Sequence, residues 1–416
     1  MAEGGFPTVD NSWRAKWNRL IDQSRHRVDP EQLPFPTPAQ LDLLKAALLP
    51  AEQAAPAWRR WKGRGLELHT VTDDASMRVF SRLWANREAA GIGAEDLPIL
   101  KGVYRKTVAC NALTLAGGLK SAQILGDARI PALFIKGAAL IAVTEGRLGL
   151  RRIDDVDVLI SEADAERAIA ALVKAGYADA KPDSRPVGFS HARAYRAAHG
   201  AAIDLHWWAF KTAGDDSAMF DTAGKATLLG RPVLVASATD CLMSAVGNAF
   251  QVWDSPRLRW ITDAMLLLES AEIDWPVLVE RARRPGVTLA LTEGLGYLAR
   301  EFGAPVPAWV LDALQQLPVS WRERIAFWAA VHQPPLGARA IQHVEHHRAR
   351  RLHATNGLPR DFLWHMARVS GVERRRDVLR RAPRTALRSA ALLALRYVPD
   401  RPVRRWRLRP RVDRAS

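Results

Sequence analysis

Three short apolar runs between residues 131 and 207 constrain this chain most. Pro131 to Ile135 is apolar and stops at Lys136-Gly137. Arg151 to Ile160 (RRIDDVDVLI) alternates polar and apolar residues from Asp155 on, and Ala202 to Trp207 (AIDLHW) alternates again. A period of two is the pattern of a half-buried strand. Between the runs, Ala138 to Val143 reads as the start of a helix. Glu162 to Ala175 reads as a second helix, with Ser161 as its N-cap and Gly176 as its stop. Ala192 to Ala198 adds a strand, and Arg231 to Ala236 a short edge strand.

On both sides the period becomes helical. Asn11 to Arg27, Gln40 to Leu49 and Ile99 to Gly126 carry apolar stripes at helical spacing. So do Asp240 to Phe250, Leu258 to Leu268, Trp275 to Arg283 and Leu289 to Phe302. The expected fold class is therefore α+β: a small mixed β-sheet core flanked by N- and C-terminal helical regions. The expected division is a helical region at 1–100, an α/β core at 101–235, a helical domain at 236–347 and an Arg-rich helical tail at 348–416. Apolar residues at 48% are enough to bury such a core.

The chemistry sits on the strands. Asp155 and Asp157 share a face, spaced ~6.6 Å along the strand, while Val156, Val158 and Ile160 face the core. Two ionised carboxylates that close repel, so one holds a proton or a cation lies between them. Hard oxygen ligands suit Mg²⁺ or Mn²⁺. Asp204, on the later strand, supplies a third acid. Three such carboxylates on adjacent strands can hold two metal ions for an in-line phosphoryl displacement. By itself the Asp-x-Asp pattern is also what a solvated strand end looks like. The order of parts argues for more: an apolar strand, a glycine turn and a helix start, whose free N–H groups suit phosphate.

These segments, FIKGAAL, LRRIDDVDVLI and IDLHWW, resemble the nucleotidyltransferase superfamily of the DNA polymerase β type. More narrowly they resemble an uncharacterised bacterial nucleotidyltransferase family often encoded in lasso-peptide and other peptide-maturation clusters. The match runs through Lys136-Gly-Ala-Ala-Leu140, Arg151-x-x-x-Asp155-x-Asp157 and Asp204-Leu-His-Trp207, and is weak at both ends of the chain. The resemblance implies an enzyme that moves a nucleoside monophosphate from an NTP, with ATP the first choice, to an acceptor. It implies metal on Asp155 and Asp157, with Asp204 completing the second metal site and activating an acceptor hydroxyl. It also implies phosphate contacts from the backbone of Gly137 and Ala138 and from Lys136 and Arg151, with Arg152 second to Arg151. His206 would orient a metal ligand or the acceptor, or serve only as a hydrogen-bonded structural histidine. The expected acceptor is a peptide or biosynthetic intermediate. Lys-Gly-Ala departs from the superfamily's Gly-Gly or Gly-Ser and removes a serine contact to phosphate. The same start is similar to toxin-like nucleotidyltransferases that modify tRNA, which keeps RNA open as acceptor. A non-catalytic nucleotide- or peptide-binding scaffold is the third reading.

Net charge is +16, and +15 of it falls on residues 348–416, which hold 20 Arg and no Lys. An even, neutral body with a basic end points to a docking surface for an acidic partner, not to a nucleic-acid groove. Ala386 to Tyr397 within that end reads as an amphipathic helix, open to three roles: packed on the body, lying on a membrane surface, or serving as an arm for RNA or an acidic peptide, with packing plus a docking surface the favoured one. Cys110 and Cys241 are too few for a disulfide framework or a zinc site. The opening residues carry no signal pattern and no stretch reaches membrane-spanning length, so the expectation is a cytoplasmic protein. Trp58 and Trp61 sit in a basic stretch that reads as a solvated amphipathic helix end. Trp207, Trp208, Trp253, Trp260, Trp275 and Trp309 read as core anchors, with base stacking open for Trp207 and Trp208. His332, His343, His347 and His353 read as a solvated helix face more than as a metal site, because arginines crowd them.

Overall fold

A computed structural model of the chain describes residues 34–144, 147–180, 187–198, 200–210, 216–250, 258–283, 286–332, 344, 347 and 362–369. The expected helices at 11–27 and 386–397, Trp253, His343 and His353 lie outside these residues.

The first helices build a bundle. In α1 (Pro38–Leu48) the Thr37 side chain accepts from the Gln40 N–H and the Gln40 side chain accepts from the Thr37 N–H, a capping box that fixes the start. In α2 (Ala51–Gly63) Trp58 and Trp61 are both buried and stack at 5.0 Å, while Arg59 and Arg60 stay in solvent. The helix is amphipathic as expected but is not a solvated end, because its aromatic face is packed into the core. Three short helices follow, α3 (Asp74–Met77), α4 (Phe80–Ala85) and α5 (Arg87–Ala90), and then the 31-residue α6 (Leu97–Asp127).

The sheet is laid down next. In chain order come β1 (Leu133–Phe134), α7 (Lys136–Val143), β2 (Val156–Leu159), α8 (Ala165–Lys174), β3 (Tyr177–Asp179), β4 (Ala192–Ala197) and β5 (Ala202–His206). After α9 (Ala218–Asp221) come β6 (Gly224–Leu228) and β7 (Arg231–Val235). The seven strands stand in the order β3-β4-β5-β2-β1-β7-β6. The sheet is mixed: β2 runs parallel to β5, β1 parallel to β7, and β1 antiparallel to β2. Packing of α6 against β2 is close because Gly118 faces Val156. A Cβ on Gly118 would lie 2.6 Å from Val156 Cγ2.

One expectation is corrected. The 231–236 strand is not an edge, because it pairs with β1 on one side and β6 on the other. The edges are β3 and β6. β3 has only three residues and shows no period, whereas β6 alternates, with Lys225 and Thr227 exposed and Leu228 buried. The β6–β7 link is a two-residue turn with positive φ at Leu229 (47°) and Gly230 (77°), the geometry a tight hairpin needs.

The helical half comprises α10 (Ala238–Ala249), α11 (Arg259–Ser270), α12 (Trp275–Arg281), α13 (Thr288–Phe302), α14 (Ala308–Gln316) and α15 (Trp321–His332), followed by α16 (Phe362–Val369). One continuous hydrophobic cluster runs from Phe35 to Val331, so bundle, sheet and helical half share a core. Trp207, Trp208 and Trp260 anchor that core as expected. Trp309 does not: it is 50% exposed, because α14 turns Val310 and Leu314 inward instead. No described helix is long and apolar enough to cross a membrane.

Candidate active site

Parallel pairing of β2 with β5 places Asp157 opposite Asp204 and Leu159 opposite His206. Register alone thus brings two acids from separate strands to one face. Asp155, two residues before Asp157, stands at the open rim just ahead of β2. One ligand atom each from Asp157, Asp204 and His206 lies within 4.8 Å of the others. Two carboxylates and an imidazole nitrogen at this spacing form a donor set that suits a divalent cation. Asp155 extends the set at the rim.

His206 is fully buried, and its Nδ1 lies 3.1 Å from the Trp208 carbonyl. A carbonyl only accepts, so Nδ1 carries the proton and Nε2 faces the acids. Nε2 lies 3.0 Å from Asp157 Oδ1 and 3.3 Å from Asp204 Oδ2. Burial and the Lys136 charge both lower the His206 pKa, but its hydrogen bonds to the two acids outweigh them and raise it. This is the arrangement of a histidine oriented by its outer nitrogen for work at the inner one. The His191 ring packs beside it at 5.2 Å.

Lys136 donates from Nζ to Asp157 Oδ1 at 2.6 Å, and Nζ lies 3.2 Å from His206 Nε2. Its backbone has φ 50°, the left-handed region, which costs a non-glycine residue on the order of 1–2 kcal/mol. That turn is what carries the ammonium to a buried carboxylate. Burial alone would raise the Asp157 pKa, but Lys136 and His206 hold it well below the usual carboxylate range. Asp204 is also lowered: burial opposes ionisation, and the His206 contact overcomes it. Asp155 goes the other way. Withdrawal from water, then repulsion from Asp157 and Asp204, push it up to about 6. The three acids are thus electrostatically unequal, and together they ask for added positive charge.

Gly137 and Ala138 are buried in the first turn of α7, which has no side-chain cap. A Cβ on Gly137 would lie 2.0 Å from Arg151 Nη1, so only glycine fits beneath that guanidinium. Arg151 is itself buried and donates from Nε to Asp263 of α11 at 3.0 and 3.2 Å. It ties α11 to the turn and does not stand open to phosphate as expected. Arg152 is exposed and pairs with Asp154 at 2.9 Å. Trp207 donates to the Ser190 carbonyl and Trp208 to Glu162, both from buried positions, so neither ring offers a face to a base.

Some residues at the site are not singled out by the sequence. Asn111 of α6 is fully buried; it donates to the Leu148 and Arg151 carbonyls at 2.6 Å and accepts from the Ile153 N–H at 2.9 Å. It thereby pins the loop that delivers Asp155. A lone Asn on the inward face of an apolar helix is its available signal. Asp263 and Arg259 lie more than a hundred residues beyond the Asp-x-Asp strand, with no local pattern to join them to it.

Residues 75–303, more than half of the chain, match the model of a family described as an uncharacterised nucleotidyltransferase. The chain belongs to that family. The nucleotidyltransferase match starts in α3 and ends just past α13, so it spans the whole sheet as well as Arg259 and Asp263. Among solved structures the chain is similar to the crystal structure of ANT(2″)-Ia in complex with adenylyl-2″-tobramycin. Identity there is 18%, covering 38% of this chain and 90% of that one, with a TM-score of 0.29. A solution structure of the antibiotic-resistance factor ANT(2″)-Ia is 16% identical, covering 46% of this chain and 97% of that one, with a TM-score of 0.32. An antigenic nucleotidyltransferase-like protein from Paracoccidioides brasiliensis is 17% identical, covering 54% and 97%, with a TM-score of 0.32. No curated protein matches the chain.

Proposed function

We propose that this nucleotidyltransferase moves a nucleoside monophosphate from a nucleoside triphosphate to an acceptor and releases pyrophosphate. The observation that carries the reading is the register of Asp157 on Asp204, with Asp155 at the rim and the Lys136-Gly137 turn beside them. The acceptor oxygen bonds to the α-phosphorus while the bond from that phosphorus to the bridging oxygen breaks. The electron pair leaves with pyrophosphate, and the acceptor's proton passes to Asp204. Asp155, Asp157 and Asp204 would hold Mg²⁺ or Mn²⁺, which would supply neutralising charge for the triphosphate. Lys136, already on Asp157, adds a fixed positive charge at the same point.

ATP is the first triphosphate to test. The motif resemblance favours a peptide or biosynthetic intermediate, as in lasso-peptide maturation, for the acceptor. We assign the chemistry to residues 101–235, a supporting role to the helical domain at 236–347, and an acidic partner to the basic tail at 348–416. The free thiols of Cys110 and Cys241 fit a reducing, cytoplasmic setting.

The test follows the label from α-³²P NTPs in Mg²⁺, with peptides, small metabolites and tRNA offered as acceptors. Wild-type protein should label a peptide or small molecule, and Asp157→Asn should lower pyrophosphate release by about 10- to 100-fold. Because it also strands the Lys136 charge, its melting temperature should fall, and turnover is compared below that temperature. Label in tRNA alone would move the acceptor to RNA. Tight NTP binding without consumption would make the protein a scaffold. Equal turnover in Asp157→Asn and wild type would sink the reading.

A further inference from the structure

Arg259 is the first residue of α11 and is half-buried, yet its guanidinium has no hydrogen bond or ion pair among the described residues. Its neighbours are all engaged. Arg151 holds Asp263, Arg152 holds Asp154, and Arg78 bridges Asp74 and Asp154. Its position follows from the helix. Residues four apart share a face, so Arg259 stands one turn before Asp263 on the side that meets Arg151. Arg151 in turn covers Gly137, the glycine beside Lys136. Side chains on a helix lean toward its N-terminus, which carries Arg259 past Arg151 toward the acids. Asp154, Asp155 and Asp157 all lie within reach of its charge. A second cation flanks the same place: Arg78 Nη1 is buried with no partner.

An arginine fork costs free energy to hold half-buried without an anion. Phosphate oxygens match that fork in pairs. We propose that Arg259 binds the β- or γ-phosphate of the incoming nucleoside triphosphate, so that α11 reads the polyphosphate end of the substrate while β2 and β5 hold the end that reacts. This inference rests on the nucleotide-transfer reading above and adds the group that tells a triphosphate from a monophosphate. Sequence motifs alone do not reveal it, because Arg259 sits 102 positions beyond Asp157.

Equilibrium binding to the full-length protein in MgCl₂ tests it, with ATP, GTP, CTP and UTP, inorganic tripolyphosphate and AMP as probes. Arg259→Met should weaken the preferred NTP and tripolyphosphate about 10- to 100-fold, the range for a charge-assisted contact. AMP should bind within about twofold of wild type, and the melting temperature should hold. Arg259→Lys keeps the charge without the fork and should lose less. It carries the test if the Met variant fails to fold. Unchanged NTP affinity in the variant overturns the inference and leaves the transferase reading standing, as does an equal loss for AMP. If wild-type protein binds none of the four NTPs, the nucleotide reading itself falls, and this inference with it.

Discussion

Three carboxylates on one sheet face behave differently because their neighbours differ. Asp157 has Lys136 and His206 within 3.0 Å, and Asp204 has His206 at 3.3 Å. Asp155 has no such partner, only partial withdrawal from water and two like charges, and it rises to about 6. In the unfolded chain an aspartate titrates near 3.9. Between these values the folded protein binds the extra proton, so Asp155 costs nothing at low pH. It destabilises the fold increasingly as pH rises through about 6. Asp155→Asn should therefore raise the melting temperature of the EDTA-treated protein at pH 8. The gap should close as pH falls below 4. A gap that persists unchanged at pH 4 would assign the effect to packing and not to charge. Added Mg²⁺ at pH 8 should raise wild-type stability more than that of the Asn variant, since the ion relieves the same repulsion.

At the scale of elements, the site depends on how closely α6 lies on β2. Gly118 permits that contact, and a methyl there would press on Val156, the residue between Asp155 and Asp157. Gly118→Ala should cost about 1–3 kcal/mol by overpacking. Gly102 lies on the same helix, and a methyl there would meet nothing within 4 Å. Gly102→Ala should then stabilise by about 0.5–1 kcal/mol, through helix propensity alone. Urea midpoints of the two variants should move in opposite directions, and movement in the same direction would deny Gly118 its special role. The contrast also shows what a sequence reveals about this fold. Period-two alternation marks β2 and β5, and the Lys136-Gly137 stop marks the turn, because each is local. β3 is too short to show a period, and β6 alternates over only Lys225 to Leu228 before the Leu229-Gly230 turn. Asp204 is legible because its strand repeats the alternation of the Asp157 strand. Arg151 misleads because its charge lies beside the acids in sequence, whereas its partner Asp263 is supplied by α11.

The whole molecule is tied across its parts by ion pairs of unequal weight. Lys45 on Glu301 links α1 to α13 at 3.2 Å, but both side chains are partly in water, where such a pair contributes about 0–1 kcal/mol. Arg151 on Asp263 joins the sheet to the helical half from the interior, with side chains only 8% and 11% exposed. Breaking a buried pair from one side typically costs about 3–5 kcal/mol, because the remaining charge is stranded. Here the two sides are not equivalent. Asp263→Leu leaves Arg151 buried with Arg259 nearby, two cations and no anion between them, and should incur that full loss. Arg151→Met leaves Asp263 with Arg259 one turn back on its own helix, able to swing over and pair. The second variant should lose less stability, and Arg259 should then be drawn from nucleotide, weakening NTP binding without touching the three acids. The double variant Arg151→Met/Asp263→Leu should recover stability relative to Asp263→Leu, since no charge of the pair is left stranded. Urea midpoints for the four proteins measure each step. Equal losses in the two single variants would mean that Arg259 cannot reach Asp263. A double variant as unstable as the summed singles would mean that the sheet and the helical half are held together by their apolar core and not by this pair.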